Sequence, residues 1–480
     1  MTYYLGVDIG TTATKAVAFS ERGEVVAMHA EFYAMHHPRE GWSEQDPDEL
    51  FAAVTNTIHS VVAQLHPNLP LFVSFSAAMH SLVAVDAKGQ PLTPCIIWAD
   101  NRAAEIAARL RSTDRGAAFY KATGVPIHPM SPLCKLLWLK EQEPSLFQKA
   151  ARFISIKEYV WWRLFGEYVV DTSIASTTGL LDIDTLNWHP GILEFAGITP
   201  DRLSRLVPPT YILKAKEPLS ACNLPPGIPF VVGASDGALA NLGAGAMEPH
   251  TLAISIGTSS AIRTVVHQPV IDKAMRTFCY HLEGSNYIVG GASNNGAVVL
   301  QWLKEKVLQT KDSYDELFAQ AETVAPGSEG LVFAPYLLGE RAPLWDPQAR
   351  GVFIGFGMQH TRAHLIRATI EGIVYCLYSM GQPLLKGGGI TGLRVSGGFA
   401  RSALPLQVLA DVFNTPVTVS ASVESSARGA VLLGAQAMGI TIDWEEEAAA
   451  VYTPRTDAYE VYQQRIRVFE QVPAFLKTIV

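Results

Sequence analysis

Two short segments carry the residue types that hold phosphate. Val7-Asp8-Ile9-Gly10-Thr11-Thr12-Ala13-Thr14-Lys15 brings an apolar run to a Gly-Thr-Thr turn, and Ile254-Ser255-Ile256-Gly257-Thr258-Ser259-Ser260-Ala261-Ile262 repeats the arrangement far downstream. A turn of this kind exposes successive backbone N–H groups and side-chain hydroxyls in one concavity, which suits phosphate oxygens. A single copy is an ordinary turn, whereas two copies from two domains can grip one triphosphate across a cleft. Gly10, Thr11, Thr12, Gly257, Thr258 and Ser259 are therefore candidate phosphate-binding residues. Asp8 beside the first turn would repel the phosphates unless a cation intervened, so the sequence predicts Mg²⁺ near Asp8, held through water. Ser255 takes the matching place in the second copy.

Gly233-Ala234-Ser235-Asp236-Gly237 follows a strand-like run and admits two readings. It spells GxSxG, which would make Ser235 the nucleophile of a serine hydrolase. It also presents Asp236 at a strand end, where a carboxylate can serve as general base for a substrate hydroxyl. Only the second reading leaves a use for the duplicated turns. Two more segments, Ala78-Met79-His80-Ser81 and Trp98-Ala99-Asp100-Asn101-Arg102, follow apolar strands and place His80, Asp100 and Arg102 where a polyol could be hydrogen-bonded, although each residue alone is more often structural. Ser396-Gly397-Gly398-Phe399-Ala400-Arg401-Ser402 lies between a strand and a helix, and its glycines would allow close approach of a flat or phosphorylated ligand. Gly387 to Gly392 satisfies the GxGxxG spelling but falls after a helix and before a strand, the reverse of dinucleotide-binding order, and is taken as a loop. There is no GxxxxGK[ST] and no HExxH, which argues against a P-loop and a histidine metal centre.

These residues need elements to position them. The runs flanking each Gly-Thr turn are β-rich, so each copy predicts a hairpin, extended to a meander by Val25 to Phe32 in the first half and by Phe278 to Leu282 and Tyr287 to Val289 in the second. Helices are expected at Pro47 to Leu65, capped by Asp46, and at Ala103 to Leu110, Leu133 to Glu141, Lys157 to Leu164, Gly296 to Leu308, His364 to Leu377, Leu404 to Phe413 and Ser426 to Met438. They alternate with strands at Leu71 to Phe75, Pro229 to Val232, Leu393 to Ser396 and Val417 to Val419, which indicates α/β architecture. Glu445 to Glu447 is expected to be a solvated helix start. The length of 480 residues calls for more than one domain. A net charge of −8 provides no basic field for nucleic acid or an anionic membrane surface. Five cysteines without paired spacing argue for a reducing cytoplasm, and Met1 to Gly10, with Asp8 inside it, is not expected to be a signal peptide.

The chain resembles the FGGY carbohydrate kinases along essentially its whole length. Met130 to Gln142 fits the family's first signature; Gly351 to Gly355 with His364-Leu365 and Ala368 to Glu371 fits the second, with Phe356 bulkier than the usual aliphatic. The resemblance implies two duplicated ribonuclease-H-like, actin-like domains, 1–246 for sugar and base and 247–480 for nucleotide, closing on MgATP and a sugar. It implies further that Asp236 is the catalytic base, that Met79 and His80 contact the sugar, that Gly296, Gly397, Gly398 and Ser402 lie on the nucleotide side, and that Ser402 replaces an Asn common in glycerol kinases. Within the family, Glu44 to Pro47, Ser293 to Gly296 and Gly339 to Trp345 most resemble members that phosphorylate gluconate. The expected reaction is thus ATP-dependent conversion of gluconate to 6-phosphogluconate, with xylulose or another pentulose or polyol as the alternative substrate, and Arg102, His80 and His128 as conceivable partners of a carboxylate. A non-catalytic actin-like ATPase would share the turns but has no need of His80 or Asp236. The sequence allows a homodimer without requiring one.

Overall fold

In the computed structural model, residues 2–385, 389–397, 399, 402–420, 424–444 and 448–476 are described. Gly398, Arg401, Gly387, Gly388 and the acidic run 445–447 lie outside them.

The first apolar run, Tyr3–Ile9, is buried along nearly its whole length because it is an interior strand. It pairs antiparallel with Ala13–Ser20, setting Asp8 opposite Lys15, and parallel with Pro70–Ala77. The sheet continues through Pro229–Ser235 to Ile212–Lys214 on one side and Val25–Phe32 on the other. The second sheet repeats this plan: Thr251–Ile256 is antiparallel to Ser260–Val266 and parallel to Gly392–Ser396, beyond which lie Val417–Ser420 and Ala448–Tyr452. Its added strand, Phe278–Glu283, forms a hairpin with Asn286–Ser293. Strand order and directions correspond in the two sheets, as expected of a duplicated ribonuclease-H-like domain. The second-half meander differs in its limits, because Asn286–Ser293 pairs along Ser260–Val266 far past Val289.

Helix Pro47–Leu65 covers one face of the first sheet with Leu50, Val54, Ile58 and Val61, a 3.6-period stripe. Its cap is the expected one, Asp46 accepting from the Asp48 and Glu49 amides. Gly296 to Leu308 is not one regular helix: Ala297–Trp302 passes into a wider turn at Leu303–Val307, where the Leu308 amide reaches back to the Leu303 carbonyl.

The other face of the first sheet is covered from the far end of the chain. Helix Ser425–Ala437 lays Ala427, Val431 and Ala435 on Tyr4, Val17, Phe19 and Phe72. It also crosses helix Asp236–Gly243 at glycine. A Cβ on Gly243 would lie 1.8 Å from the Ser425 carbonyl oxygen, and one on Gly429 2.0 Å from that of Leu239, so only hydrogen fits at either place. All five cysteines are free and buried. Among the described residues no helix is long and apolar enough to cross a membrane.

Candidate active site

A cavity open at its mouth lies between the two sheets, and Thr11, Met79, His80, Asp236, Ser259 and Arg341 are among its lining residues. The two Gly-hydroxyl turns therefore face one space. Each is a tight loop closing a hairpin, with the Gly10 amide on the Ala13 carbonyl at 3.1 Å and the Gly257 amide on the Ser259 carbonyl at 2.9 Å. Thr11 is fixed from outside: the Trp98 indole donates to its Oγ1 at 2.9 Å, and Gln45 Nε2 to its carbonyl at 2.7 Å. The second turn rests on Gly296, whose amide donates to the Thr258 carbonyl at 3.1 Å. A Cβ there would sit 2.6 Å from the Gly257 and Ser259 carbonyl oxygens. Gly397 lies against the Ile256 carbonyl, at the end of the strand that leads into this turn, and Ser402 immediately precedes helix Ala403–Phe413.

Asp236 is the first residue of its helix, where the unpaired backbone N–H groups favour a carboxylate. Its Oδ1 accepts from the Gly237 amide at 2.6 Å. Burial pushes its carboxyl above the usual range, and the Arg263 guanidinium pulls it back. Asp8 accepts a hydrogen bond from Ser76 at 2.7 Å. Burial, and then the charge of Asp236, push Asp8 up to about 6. A carboxyl whose ionisation is made costlier by burial and by a neighbouring carboxylate suits a site that receives a cation. Ser235 takes no part: it ends strand Pro229–Ser235, is fully buried, and shares a hydrogen bond with the Ser173 hydroxyl at 3.0 Å. The hydrolase reading of the GxSxG spelling has no exposed nucleophile to rest on.

His80 adopts a left-handed backbone conformation, φ 68°. Its Nδ1 faces the Thr177 carbonyl at 2.9 Å and must carry the proton, which leaves Nε2 as an acceptor, 3.4 Å from the Tyr280 hydroxyl. Burial, then the Lys135 charge, lower its pKa to about 3. His80 is thus a neutral acceptor, suited to a polyol hydroxyl. Asp100 and Arg102 come together with each other. Asp100 is fully buried and takes Arg102 Nε at 2.9 Å, Arg102 Nη2 at 2.8 Å and the Ser43 amide at 2.7 Å. Arg102 also reaches Glu44 and stacks 3.8 Å from the Trp42 ring centroid. Neither is among the described lining residues.

Three residues of the site went unremarked in the sequence. Arg263, on strand Ser260–Val266, lines the cavity and donates from Nη1 to Ser255 at 3.2 Å. Arg341 lines it too, donates from Nη2 to the Ser293 carbonyl at 3.1 Å, and lies 4.6 Å from the Trp98 ring centroid. Lys135, fully buried, gives its ammonium to the carbonyls of His80, Ile96 and Ile97 at 2.5, 3.2 and 2.8 Å. A charge alternating into an apolar strand was the available signal for Arg263. Arg341 sat inside the quoted Gly339 to Trp345 segment, and Lys135 inside Met130 to Gln142.

Twin Gly-hydroxyl turns facing one cavity, with a half-buried carboxylate at a helix start beside them and duplicated lobes around them, are the parts of a small-molecule phosphotransferase. Sequence comparison agrees: residues 3–243 match the N-terminal domain, and 252–438 the C-terminal domain, of the FGGY family of carbohydrate kinases, and the chain belongs to that family. It is 42% identical to a gluconokinase of Bacillus subtilis, over 99% of this chain and 96% of the other. Among solved structures it resembles a gluconate kinase from Lactobacillus acidophilus at a TM-score of 0.95 and 34% identity, covering 99% of this chain and 98% of that one. A ligand-bound xylulose kinase from the same organism matches at 0.96 and 34%, covering 100% and 99%.

Proposed function

We propose that this carbohydrate kinase transfers the γ-phosphoryl group of ATP to the terminal hydroxyl of gluconate, giving 6-phosphogluconate and ADP. The observation that carries this reading is the meeting of Asp236 with Thr11 and Ser259 in one cavity, because transfer requires a base and a phosphate cradle on opposite sides of the reacting hydroxyl. The 42% identity to a gluconokinase supports the choice of acceptor.

The chain's own residues divide the work. Gly10 to Thr12 and Gly257 to Ser259 hold the phosphates, with Gly296 and Gly397 letting the backbone pack close behind the second turn, and Ser402 on the adenosine side. Met79 and His80 orient the polyol, His80 accepting a hydrogen bond from one of its hydroxyls at Nε2. Asp236 takes the proton of the attacking hydroxyl as the new O–P bond forms and the bond to the ADP oxygen breaks. Mg²⁺, when bound, neutralises charge on the phosphates. Asp8 is the residue that would meet it through water.

ADP release measured with ATP and Mg²⁺ across gluconate, xylulose, ribulose, glycerol and rhamnulose tests the acceptor, gluconate being expected to give the highest kcat/KM. A maximum at xylulose would move the assignment to the activity in the name of the second structural neighbour. Asp236→Asn is expected to lower kcat by roughly 10² to 10⁴, the usual contribution of a positioned general base, while nucleotide affinity stays within a few-fold. Retention of a tenth of the parent turnover would remove Asp236 from this role.

A further inference from the structure

A carboxylate needs a cation or N–H donors, and the nearby basic groups can be taken in turn. Arg102 is consumed by Asp100 and Glu44. Lys135 has spent its three protons on three backbone carbonyls. His80 presents a lone pair toward the cavity, which repels an anion. His128 accepts the Met130 amide at Nδ1 and is not among the described lining residues. Arg263 and Arg341 remain. Both line the cavity, and among the described residues the Nε of each is buried without a hydrogen-bond partner. A buried N–H left unpaired is disfavoured, so both guanidiniums keep donor capacity that no other described group takes up.

We propose that Arg263 and Arg341 are the specificity-determining pair of the substrate site, the two guanidiniums receiving the carboxylate of a sugar acid and so favouring it over the neutral polyol of equal length. The proposal rests on the sugar-acid reading given above and deepens it. Guanidinium meets carboxylate through N–H pairs that a hydroxyl cannot match, so the discrimination comes from charge and geometry together.

The test is equilibrium binding without nucleotide, which separates recognition of the substrate from charge on the transferring phosphoryl group. Glucitol is gluconate with its carboxylate replaced by CH₂OH. The wild-type chain is expected to bind gluconate at least 100-fold more tightly than glucitol, and that preference should fall at least 30-fold in Arg263→Met and in Arg341→Met. Where a Met variant does not fold, Arg→Gln at the same position keeps an N–H donor without the charge and should show the same fall. A preference that survives in either position's folded variant overturns the pair. Equal wild-type affinity for gluconate and glucitol also overturns it, whichever acceptor is phosphorylated. Failure of the gluconate reading looks different: galactonate or xylonate would then exceed gluconate as phosphoryl acceptor, while still binding more tightly than its own neutral polyol and still depending on both arginines.

Discussion

Replacing Lys135 by Met should loosen the sugar side of the site and weaken the first lobe by a calculable amount. The side chain is fully buried, so Met conserves the stem and deletes the ammonium. Of its three acceptors, two keep another partner: Ile96 still receives the Leu82 amide at 3.0 Å and Ile97 the Asp100 amide at 3.2 Å. Among the described residues the His80 carbonyl has no other donor; it is left dry at a cost of roughly 1–3 kcal/mol, and the two weakened bonds add about 0.5–1.5 kcal/mol each. Relief from burying a charge offsets part of this, and the expected loss is about 2–4 kcal/mol in a urea titration followed by tryptophan fluorescence. Function should respond unevenly. His80 is held in its left-handed conformation partly by this bond, so the KM for the sugar substrate should rise about tenfold while the KM for ATP changes less. A Lys135→Met protein within 1 kcal/mol of its parent and with an unaltered sugar KM would show that the three carbonyls do not need the ammonium, and the account of Met79–His80 positioning would fail with it.

Asp8→Asn should abolish turnover yet stabilise the chain in the absence of nucleotide and cation. The Asp8 carboxyl is raised from 3.8 to about 6, so its contribution to stability is full below pH 4 and lost as pH rises through 6; thermal melts should show the Asn variant ahead by about 1–3 kcal/mol at pH 7.5, with the gap closing near pH 4. Arg102→Leu leaves Asp100 buried without its cation and is expected to cost about 3–5 kcal/mol in denaturant titration. A larger effect on sugar KM than on stability would restore Arg102 to the substrate site. Gly296→Ala inserts a methyl group against the Gly257 and Ser259 carbonyls and should raise the ATP KM at least tenfold with little change for the sugar, as steady-state kinetics would read directly.

What the sequence disclosed was what is encoded locally. A β-rich run, a Gly-hydroxyl turn and a second β-rich run specify a hairpin within a dozen residues, and both copies formed as expected around Gly10 and Gly257. Asp236 was legible because its strand-to-helix context lies in five consecutive residues. The arginines of the cavity were not, since Arg263 and Arg341 meet Asp236 only when a strand and a loop of the second lobe close over the first. Asp100 and Arg102 show the opposite case: polar residues two apart suggested ligand contacts, but that spacing also lets a carboxylate and a guanidinium satisfy each other. Nor did the pattern of Ser425–Ala437 announce which sheet it would cover, although its small residues Ala427, Gly429, Ala430 and Gly434 hinted at backbone contact. Periodicity gives a helix its buried face and leaves the partner to tertiary packing.

Gly243 and Gly429 meet as backbone on backbone, and the crossing is pinned as well as close: Ser426 Oγ donates to the Asp236 carbonyl at 3.4 Å and Arg428 Nη1 to the Gly243 carbonyl at 2.7 Å. The crossing reaches the site at both ends. Asp236 opens one helix, and Glu424, immediately before the other, holds Lys15 at 2.8 Å opposite Asp8. A shift of one helix on the other would therefore be felt at Asp236 and at the Lys15–Glu424 pair together.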